Sequence, residues 1–225
     1  MPRGDVAAVM THGLKLGLSA DEVLTTTRAV RKRLDFTRPV EREVLQDCVE
    51  IARQAPSGRN RQRWDFIFVG DEATKTAVTR WWLAGLRAGA PGGSDTRDPS
   101  PTGWQRIAES LGDLAARLHE APWLLIPCVR VESRAELADV RGQAGAWGSV
   151  LPAVWSFMLA ARERGLGTAW TTAHLTYERE VAAVLGIPYD TVVQAALTPV
   201  AYTVGTDFKP ARRAPAESFL HWDRW

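Results

Sequence analysis

The stretch Thr27-Arg28-Ala29-Val30-Arg31-Lys32-Arg33 places four cationic side chains within six residues. It directly follows a short helical pattern at residues 19–26. If the helix continued, Arg28 and Arg31 would share one of its faces, where like charges repel each other. A bound phosphate would reverse that repulsion, because guanidinium groups pair well with phosphate oxygens. The cluster therefore predicts either an anion site or a solvated basic surface at a helix C-terminus.

A second stretch, Ala55-Pro56-Ser57-Gly58-Arg59-Asn60-Arg61-Gln62, lies between an amphipathic helical pattern and a buried strand. Its first residues end the helix, and the polar side chains of Ser57, Asn60 and Gln62 follow on a loop. Short polar side chains on a loop are well suited to hydrogen-bond a ligand. The second stretch therefore favours the anion-site interpretation of the first.

Taken together, the two stretches resemble the nitroreductase family of FMN-dependent oxidoreductases. The family's Arg-Ser-x-Arg element corresponds to Arg28-Ala29-Val30-Arg31, and its Ala-Pro-Ser-x-x-Asn-x-Gln-x-Trp element corresponds to residues 55–64. The resemblance extends from about residue 19 to the C-terminus. It implies an α+β fold of three layers, in which helices cover a central, mostly antiparallel sheet, and it implies an intertwined homodimer.

The resemblance also implies FMN as the bound cofactor and NAD(P)H as the hydride donor. Electron-poor acceptors such as nitroaromatics, quinones or enones would be reduced by a ping-pong mechanism. No catalytic residue of the protein is required, because flavin N5 would carry the chemistry. A reductive dehalogenase or flavin-processing enzyme of the same fold, or a flavin-binding protein that does not turn over, is the alternative.

The residues that the resemblance assigns to the cofactor come from four parts of the chain. They are Thr27, Arg28, Ala29, Val30, Arg31, Pro56, Ser57, Asn60, Gln62, Trp170, Thr171, Lys209, Arg212 and Arg213. The phosphate would lie between the Thr27–Arg31 segment and a second basic cluster, Lys209–Arg213, in which Arg212 and Arg213 are equivalent candidates. The loop at Ser57 would reach the flavin of the neighbouring subunit.

Three positions depart from the family pattern. Ala29 replaces a common Ser, Thr27 replaces a frequent Arg, and Arg63 replaces a frequent Pro. Arg63 either adds a cation near the flavin or faces water.

Residues 88–103 contain most of the turn-forming residues of the chain, and they predict a long loop. We expect this loop to form the centre of a lid at about residues 80–107. Trp81, Trp82 and Trp104 flank the loop and could stack on a planar substrate. Ordinary packing beneath the loop is the alternative for each of them.

The length and the lack of a dividing linker indicate one globular domain. The extent of the resemblance implies that it spans residues 19–225, with a mobile arm at 1–18 before it and an extension at about 203–225 at its end. A net charge of +2 argues against nucleic acid as a partner. Cys48 and Cys128 stand alone, as is usual in a reducing cytoplasm. No stretch has the length and apolar character of a membrane span, and the four scattered histidines do not indicate a metal site.

The remaining periodicity alternates between helices and strands. Helices are predicted at about 41–54, 71–86, 105–120, 145–164 and 176–185, and strands at 64–70, 123–131, 168–172 and 192–202. Pro127 within the second strand predicts that part of this strand lies at an edge or a bulge.

Overall fold

The computed structural model describes residues 13–89 and 101–225, without the side chains of residues 101–104. Within these ranges the α-helices are α1 (Ala20–Thr26), α2 (Arg42–Ala52), α3 (Glu72–Ala88), α4 (Pro101–Arg117), α5 (Val140–Glu163) and α6 (Glu178–Leu185). The strands are β1 (Leu34–Asp35), β2 (Trp64–Val69), β3 (Trp123–Arg130), β4 (Leu166–Thr168), β5 (Val192–Gln194) and β6 (Thr198–Thr203).

The strands form one antiparallel sheet in the order β1-β6-β3-β2, with β4 paired to β6 and β5 paired to β3. Strand β3 is the centre of this sheet, because it pairs with β2 along most of its length on one side. On its other side it pairs first with β6 and then with β5. The predicted strand at residues 192–202 is therefore two strands, which bind successive parts of β3.

Alternate side chains of β3 enter opposite helical layers. Leu124 and Ile126 pack in a cluster that includes residues of α3, α4 and α6. Leu125 points the other way, into a cluster that contains Val44 of α2 and Phe157 of α5. The sheet is thus covered by helices on both faces, which confirms the predicted α+β fold of three layers.

Local signals explain where several helices begin and end. The Ser19 hydroxyl accepts a hydrogen bond from the Glu22 amide at 3.3 Å, while the Glu22 carboxylate accepts one from the Ser19 amide at 2.8 Å. This is the predicted capping box at the start of α1. Helix α6 ends at Gly186, whose φ of 67° is a left-handed conformation that glycine adopts without a steric penalty.

Helix α1 ends at Thr26, as predicted, so Arg28 and Arg31 follow the helix and do not share a helical face. Two other predicted elements are wrong in detail. Strand β4 ends at Thr168, and the predicted strand at 168–172 is reduced to one isolated bridge. Helix α4 already begins at Pro101, within the predicted loop, whose residues 90–100 lie outside the described ranges.

Pro127 does not lie at an edge strand, because β3 has neighbours on both sides. It lies where β3 changes its partner from β6 to β5, between the pairs Leu125–Thr198 and Cys128–Gln194. Its carbonyl oxygen still accepts a hydrogen bond from the amide of Ala195. A residue without an amide proton is tolerated at such a junction.

Helix α5 is long and apolar enough to cross a bilayer by length and composition alone. Buried residues of this helix, among them Val154 and Phe157, nevertheless contribute to the core clusters. Its N-terminus is capped by the Asp139 carboxylate, and its C-terminal residue Glu163 binds the amides of Gly17 and Leu18. These contacts are those of a core helix, and they fix the end of the predicted N-terminal arm.

Candidate functional site

The first basic stretch is held against the sheet immediately after α1. The amide of Val30 donates to the carbonyl oxygen of Thr168 at 2.8 Å, and Ala29 and Thr168 form an isolated parallel bridge. Val30 is buried, whereas Arg28 and Ala29 before it are exposed. The backbone therefore presents the cations beside the end of β4.

Two of the four cations are neutralised by carboxylates. Lys32 lies 3.2 Å from Asp113 and 3.8 Å from Glu109, both of which belong to α4. Arg33 pairs with Asp207 at 2.5 Å and thereby lowers the pKa of that carboxyl group. These two side chains are engaged within the chain and are poor candidates for an external anion.

Arg28 and Arg31 differ from their neighbours because neither has a carboxylate partner among the described residues. Arg28 donates to the carbonyl oxygen of Lys209 at 3.3 Å, and Arg31 donates weakly to the hydroxyl of Ser110 at 3.4 Å. Arg31 is half-buried, and this burial lowers the pKa of its guanidinium group. Guanidinium groups without a counter-ion fit the oxygens of a phosphate dianion.

The side chain of Arg28 reaches the first residue of the second basic cluster, Lys209. The hydrogen bond from Arg28 to Lys209 joins parts of the chain that are 181 residues apart. Arg212 and Arg213 follow on the exposed C-terminal segment, where the Arg213 side chain donates to the carbonyl oxygen of Arg212 at 3.1 Å. The structure therefore brings Arg28 and Lys209 together and leaves Arg212 and Arg213 equivalent.

The Ser57 loop has an unusual backbone. Arg59, Asn60 and Gln62 have φ angles of 55°, 53° and 48°, which are left-handed values that side chains disfavour. The loop is held by a bond from the Gln62 amide to the Ser57 hydroxyl (3.0 Å) and by one from its side chain to that of Asn60 (2.9 Å). Backbone strain of this kind is concentrated at functional sites in proteins.

The same loop rests on α5. The Gly58 amide donates to the Ser149 hydroxyl at 3.3 Å, while Pro56, Asn60 and Gln62 are exposed. The described hydrogen bonds of this loop do not extend to the basic segment of its own chain. The polar side chains predicted at this site thus face outward from the subunit.

Trp170 and Thr171 follow β4 directly and therefore lie close to the segment that contains Arg28. The backbone of Thr171 exchanges two hydrogen bonds with Leu197, at 2.8 and 3.0 Å. Its hydroxyl accepts a bond of 2.8 Å from the indole nitrogen of Trp82. This segment is rigidly attached to the sheet and to α3.

Three tryptophans were predicted to flank the lid. The prediction that Trp82 contacts the substrate is wrong. Its side chain is fully buried in the core, because Trp82 lies on the face of α3 that packs against the sheet. Trp81 is half-buried, and its ring centroid lies 5.2 Å from that of Tyr177. The side chain of Trp104 and the centre of the predicted lid lie outside the described residues.

Arg63 is the third departure from the family pattern. Its side chain does not simply face water, and its charge is not free to bind a cofactor, because it is paired within the chain. It forms a bidentate ion pair with Glu136 at 2.5 and 3.0 Å, and both side chains are about four-fifths buried, with exposed fractions of 17% and 22%. This pair lowers the pKa of Glu136 to about 2. Arg63 therefore fastens the end of the Ser57 loop to the segment before α5.

Two side chains near the basic cluster escaped prediction. Ser110 on α4 accepts a hydrogen bond from Arg31. Arg162 on α5 binds Thr26, which precedes the first basic stretch, and Thr206, which precedes the second basic cluster. Ser110 stands in an ordinary amphipathic pattern, so no local signal distinguishes it. Arg162 lies in the last turn of α5, where a cation is common, so its position does not distinguish it either.

Two surface grooves, of about 1030 and 630 Å³, lie around α2, β2 and Trp123. Neither is lined by Arg28, Arg31, Ser57 or Trp170. The candidate site thus lies apart from these two grooves, and it consists of Arg28, Arg31, Lys209 and the Trp170–Thr171 segment.

Comparison with known proteins identifies the class of molecule to which this fold and this surface belong. The sequence model of the nitroreductase family matches residues 24–202, so the chain belongs to the nitroreductase family. The prediction of the family is thereby confirmed, and with it the class of enzyme, an oxidoreductase of the nitroreductase type.

Individual relatives agree with this result. The chain is 28% identical to an NADH dehydrogenase of Thermus thermophilus over 216 residues, which cover 89% of this chain and 97% of the relative. It resembles the crystal structure of NfnB, an FMN- and NADPH-dependent nitroreductase from Sphigopyxis sp. strain HMH, with a TM-score of 0.66 and 25% identity over 92% of this chain and all of the other. An iodotyrosine deiodinase bound to FMN and 3-iodo-L-tyrosine has the same fold, with a TM-score of 0.66 and 23% identity over 90% of this chain and 98% of the other.

Proposed function

We propose that the protein is an FMN-dependent oxidoreductase that takes hydride from NAD(P)H and reduces an electron-poor acceptor such as a nitroaromatic, a quinone or an enone. One observation carries this proposal. In a member of the nitroreductase family, Arg28 and Arg31 lack carboxylate partners among the described residues, and Arg28 lies beside Lys209. NfnB depends on FMN and NADPH, which fits the same conclusion.

The chain's own groups would bind and orient the cofactor. Arg28, Arg31 and Lys209 would hold the phosphate and the adjoining edge of the ring, each charge-assisted bond contributing roughly 1.5 to 3 kcal/mol. The Trp170–Thr171 segment would lie behind the ring, where its hydrogen bonds to Leu197 keep it in place. When bound, FMN supplies a site for hydride at N5, so no acid or base of the protein is required.

A homodimer with two sites at its interface completes this proposal. The strained Ser57 loop faces outward and offers its polar groups to a neighbouring subunit rather than to its own basic segment. The α5 residues Gly148, Leu151 and Trp155 form an exposed, largely apolar stripe at helical spacing beside this loop.

The predicted alternatives gain no support from a specific observation. The likeness to the iodotyrosine deiodinase is one of fold, so it does not favour a reductive dehalogenase. A cytoplasmic location and a ping-pong mechanism are part of the proposal. Acceptor choice would depend on the lid at about residues 80–107, to which the half-buried Trp81 belongs.

Anaerobic reduction tests the proposed activity. The purified protein should be yellow, and adding NADH or NADPH without oxygen should bleach its flavin spectrum; addition of a nitroaromatic or a quinone should then restore it. A spectrum that bleaches with neither donor would contradict the assignment of NAD(P)H. Bleaching without recovery on any acceptor class would instead favour a flavin-binding protein that does not turn over.

Substitution of Arg31 tests the proposed phosphate contact. Arg31→Gln should weaken FMN binding by about tenfold or more, because it removes one charge-assisted bond, and should leave riboflavin binding unchanged. Lys32→Gln is the matched control, since Lys32 is paired with Glu109 and Asp113. Fluorescence titration of the flavin-free protein measures both affinities, and equal losses for FMN and riboflavin would argue against a phosphate contact.

A further inference from the structure

The chain that follows β6 is held in place by an arginine from the first basic stretch. The Arg33 side chain donates to the carbonyl oxygen of Val204 at 2.8 Å, and its own carbonyl oxygen accepts from the Val204 amide at 2.8 Å. It also pairs with the Asp207 carboxylate at 2.5 Å. Arg33 thus binds residues 204–207 at both ends, although it lies 171 to 174 positions earlier in the chain.

A second arginine reaches the same segment from the core. Arg162 of α5 is only 5% exposed, yet its guanidinium group has no carboxylate partner among the described residues. It donates instead to the Thr26 hydroxyl at 3.2 Å and to the Thr206 carbonyl oxygen at 3.0 Å. Arg162 therefore joins the end of α1, which precedes the basic stretch, to the C-terminal segment.

Both guanidinium groups also lie over one aromatic ring. The Arg33 guanidinium carbon is 4.3 Å from the centroid of the Phe208 ring, and that of Arg162 is 5.1 Å away. Cation–π contacts at these distances are attractive, and more so where water is partly excluded, as it is around the half-buried Phe208. The contacts fix residue 208, which directly precedes Lys209.

The backbone turn between these contacts requires a glycine. Gly205 has a φ of 73°, and a Cβ atom on it would lie 2.7 Å from a terminal nitrogen of Arg33. Any side chain here would displace the guanidinium group or strain the turn. The close approach of Arg33 is thus a built feature of the segment.

We propose that Arg33, Arg162 and Phe208 form a C-terminal clasp that positions Lys209 beside Arg28 for the cofactor phosphate. The clasp ends one residue before Lys209, whose carbonyl oxygen is the acceptor for Arg28. Its arginines are positioning residues: Arg33 is engaged by Asp207, and Arg162 is buried, so neither is free for the phosphate. This inference rests on the proposed function, since it assigns to Lys209 a phosphate contact.

The affinities for FMN and riboflavin distinguish a clasp that only stabilises the fold from one that positions Lys209. A purely stabilising role would affect the binding of FMN and riboflavin alike, because the two flavins differ only in the phosphate. A positioning role affects FMN alone. It also disappears once Lys209 has lost its charge, because there is then no cation left to position.

The experiment compares FMN and riboflavin binding by the flavin-free protein through fluorescence titration, with thermal unfolding of each variant recorded in parallel. Arg33→Gln should weaken FMN binding about tenfold and leave riboflavin binding unchanged. In a Lys209→Gln background, the further loss from Arg33→Gln should be no more than about twofold. Arg117→Gln is the matched control, because Arg117 also combines a carboxylate partner, Glu120, with an aromatic ring, Phe36.

Equal losses for both flavins, or full additivity with Lys209→Gln, would overturn the clasp while leaving the proposed function intact. Binding of neither flavin by the unmodified protein would overturn both. If Arg33→Gln fails to fold, Phe208→Leu provides the same comparison, since it removes two cation–π contacts and keeps an apolar side chain. The same selective loss of FMN affinity is expected for that variant.

Discussion

At the scale of single residues, what distinguishes the four cations of the first basic stretch is their partners. Lys32 and Arg33 are held by carboxylates, whereas Arg28 and Arg31 bond only to a carbonyl and a hydroxyl oxygen among the described residues. Because a half-buried guanidinium group loses hydration without gaining a counter-ion, Arg31 is the cation with most to gain from a bound anion.

His174 is another buried group without a partner in the described part of the chain. It lies in the short 3-10 helix Ala173–Tyr177, is fully buried, and neither ring nitrogen has a hydrogen bond there. Burial lowers the pKa of His174 to about 4 because desolvation disfavours the charged ring. The ring is therefore neutral in the folded protein near neutral pH.

This burial predicts a loss of stability in acid. Between its unfolded value of 6.5 and its folded value of about 4, the unfolded state binds a proton that the folded state does not. The contribution of His174 to the free energy of unfolding should therefore be complete above pH 6.5. The free energy of unfolding should then decline by about 2 kcal/mol as the pH falls from 7 to 5.

Urea unfolding at several pH values measures this slope. His174→Leu should flatten it between pH 7 and 5, because the replacement cannot titrate, whereas His119→Gln at an exposed position should retain it. An unchanged slope in His174→Leu would show that other groups cause the acid sensitivity.

At the scale of elements, the sequence predicted those helices and strands whose signals are local. The capping box of Ser19, the apolar period of α2 and the aromatic run of β2 are all found where predicted. The features that the sequence could not predict depend on which strands pair with each other. Thr168 ends β4 because its carbonyl oxygen bonds to Val30, and Pro127 sits in a central strand because two different strands share that side of β3.

The packing of α3 shows the same dependence on distant residues. Gly85 faces the carbonyl oxygen of Ala173, and a Cβ atom on it would overlap that oxygen. Because this obstacle is backbone, it cannot move aside as a flexible side chain could. The contact also holds Trp82 of α3 within reach of Thr171.

Gly85→Ala should therefore destabilise the protein by about 1 to 3 kcal/mol or more, despite the higher helix propensity of alanine. The matched control is Gly112→Ala in α4, where the added Cβ meets nothing within 4 Å. This control should gain about 0.5 to 1 kcal/mol from reduced chain entropy. Chemical denaturation measures both, and equal effects would contradict the close approach of α3 to residue 173.

At the scale of the whole molecule, the site combines parts that the sequence predicted with a geometry that it could not supply. Family-like motifs identified Arg28, Arg31, Ser57 and Lys209 as candidates, and the structure brings the first and last of these together. The core position of Trp82 could not be predicted, since its spacing suits a lid as well as a buried helix face. The proposed function adds a second subunit to this site.

The exposed surface of α5 allows that proposal to be tested. Leu151 and Trp155 are 38% and 40% exposed on α5, and the strained Ser57 loop is fastened to the same helix at Ser149. Two copies that pack along this stripe would bury apolar surface, at roughly 25 cal/mol per Å² removed from water. They would also place each Ser57 loop on the other subunit.

Trp155→Glu should therefore produce a monomer and weaken the binding of both FMN and riboflavin, because the loop of the neighbour would be lost along with the interface. Val184→Glu is the matched control: Val184 is 37% exposed on α6, which packs on the opposite face of the sheet from α5, and its substitution should leave the oligomeric state and flavin binding unchanged. Sedimentation velocity gives the oligomeric state, and fluorescence titration gives the affinities. A dimer that persists in Trp155→Glu would show that α5 is not the interface, while a monomer that retains flavin affinity would show that each site is complete within one chain.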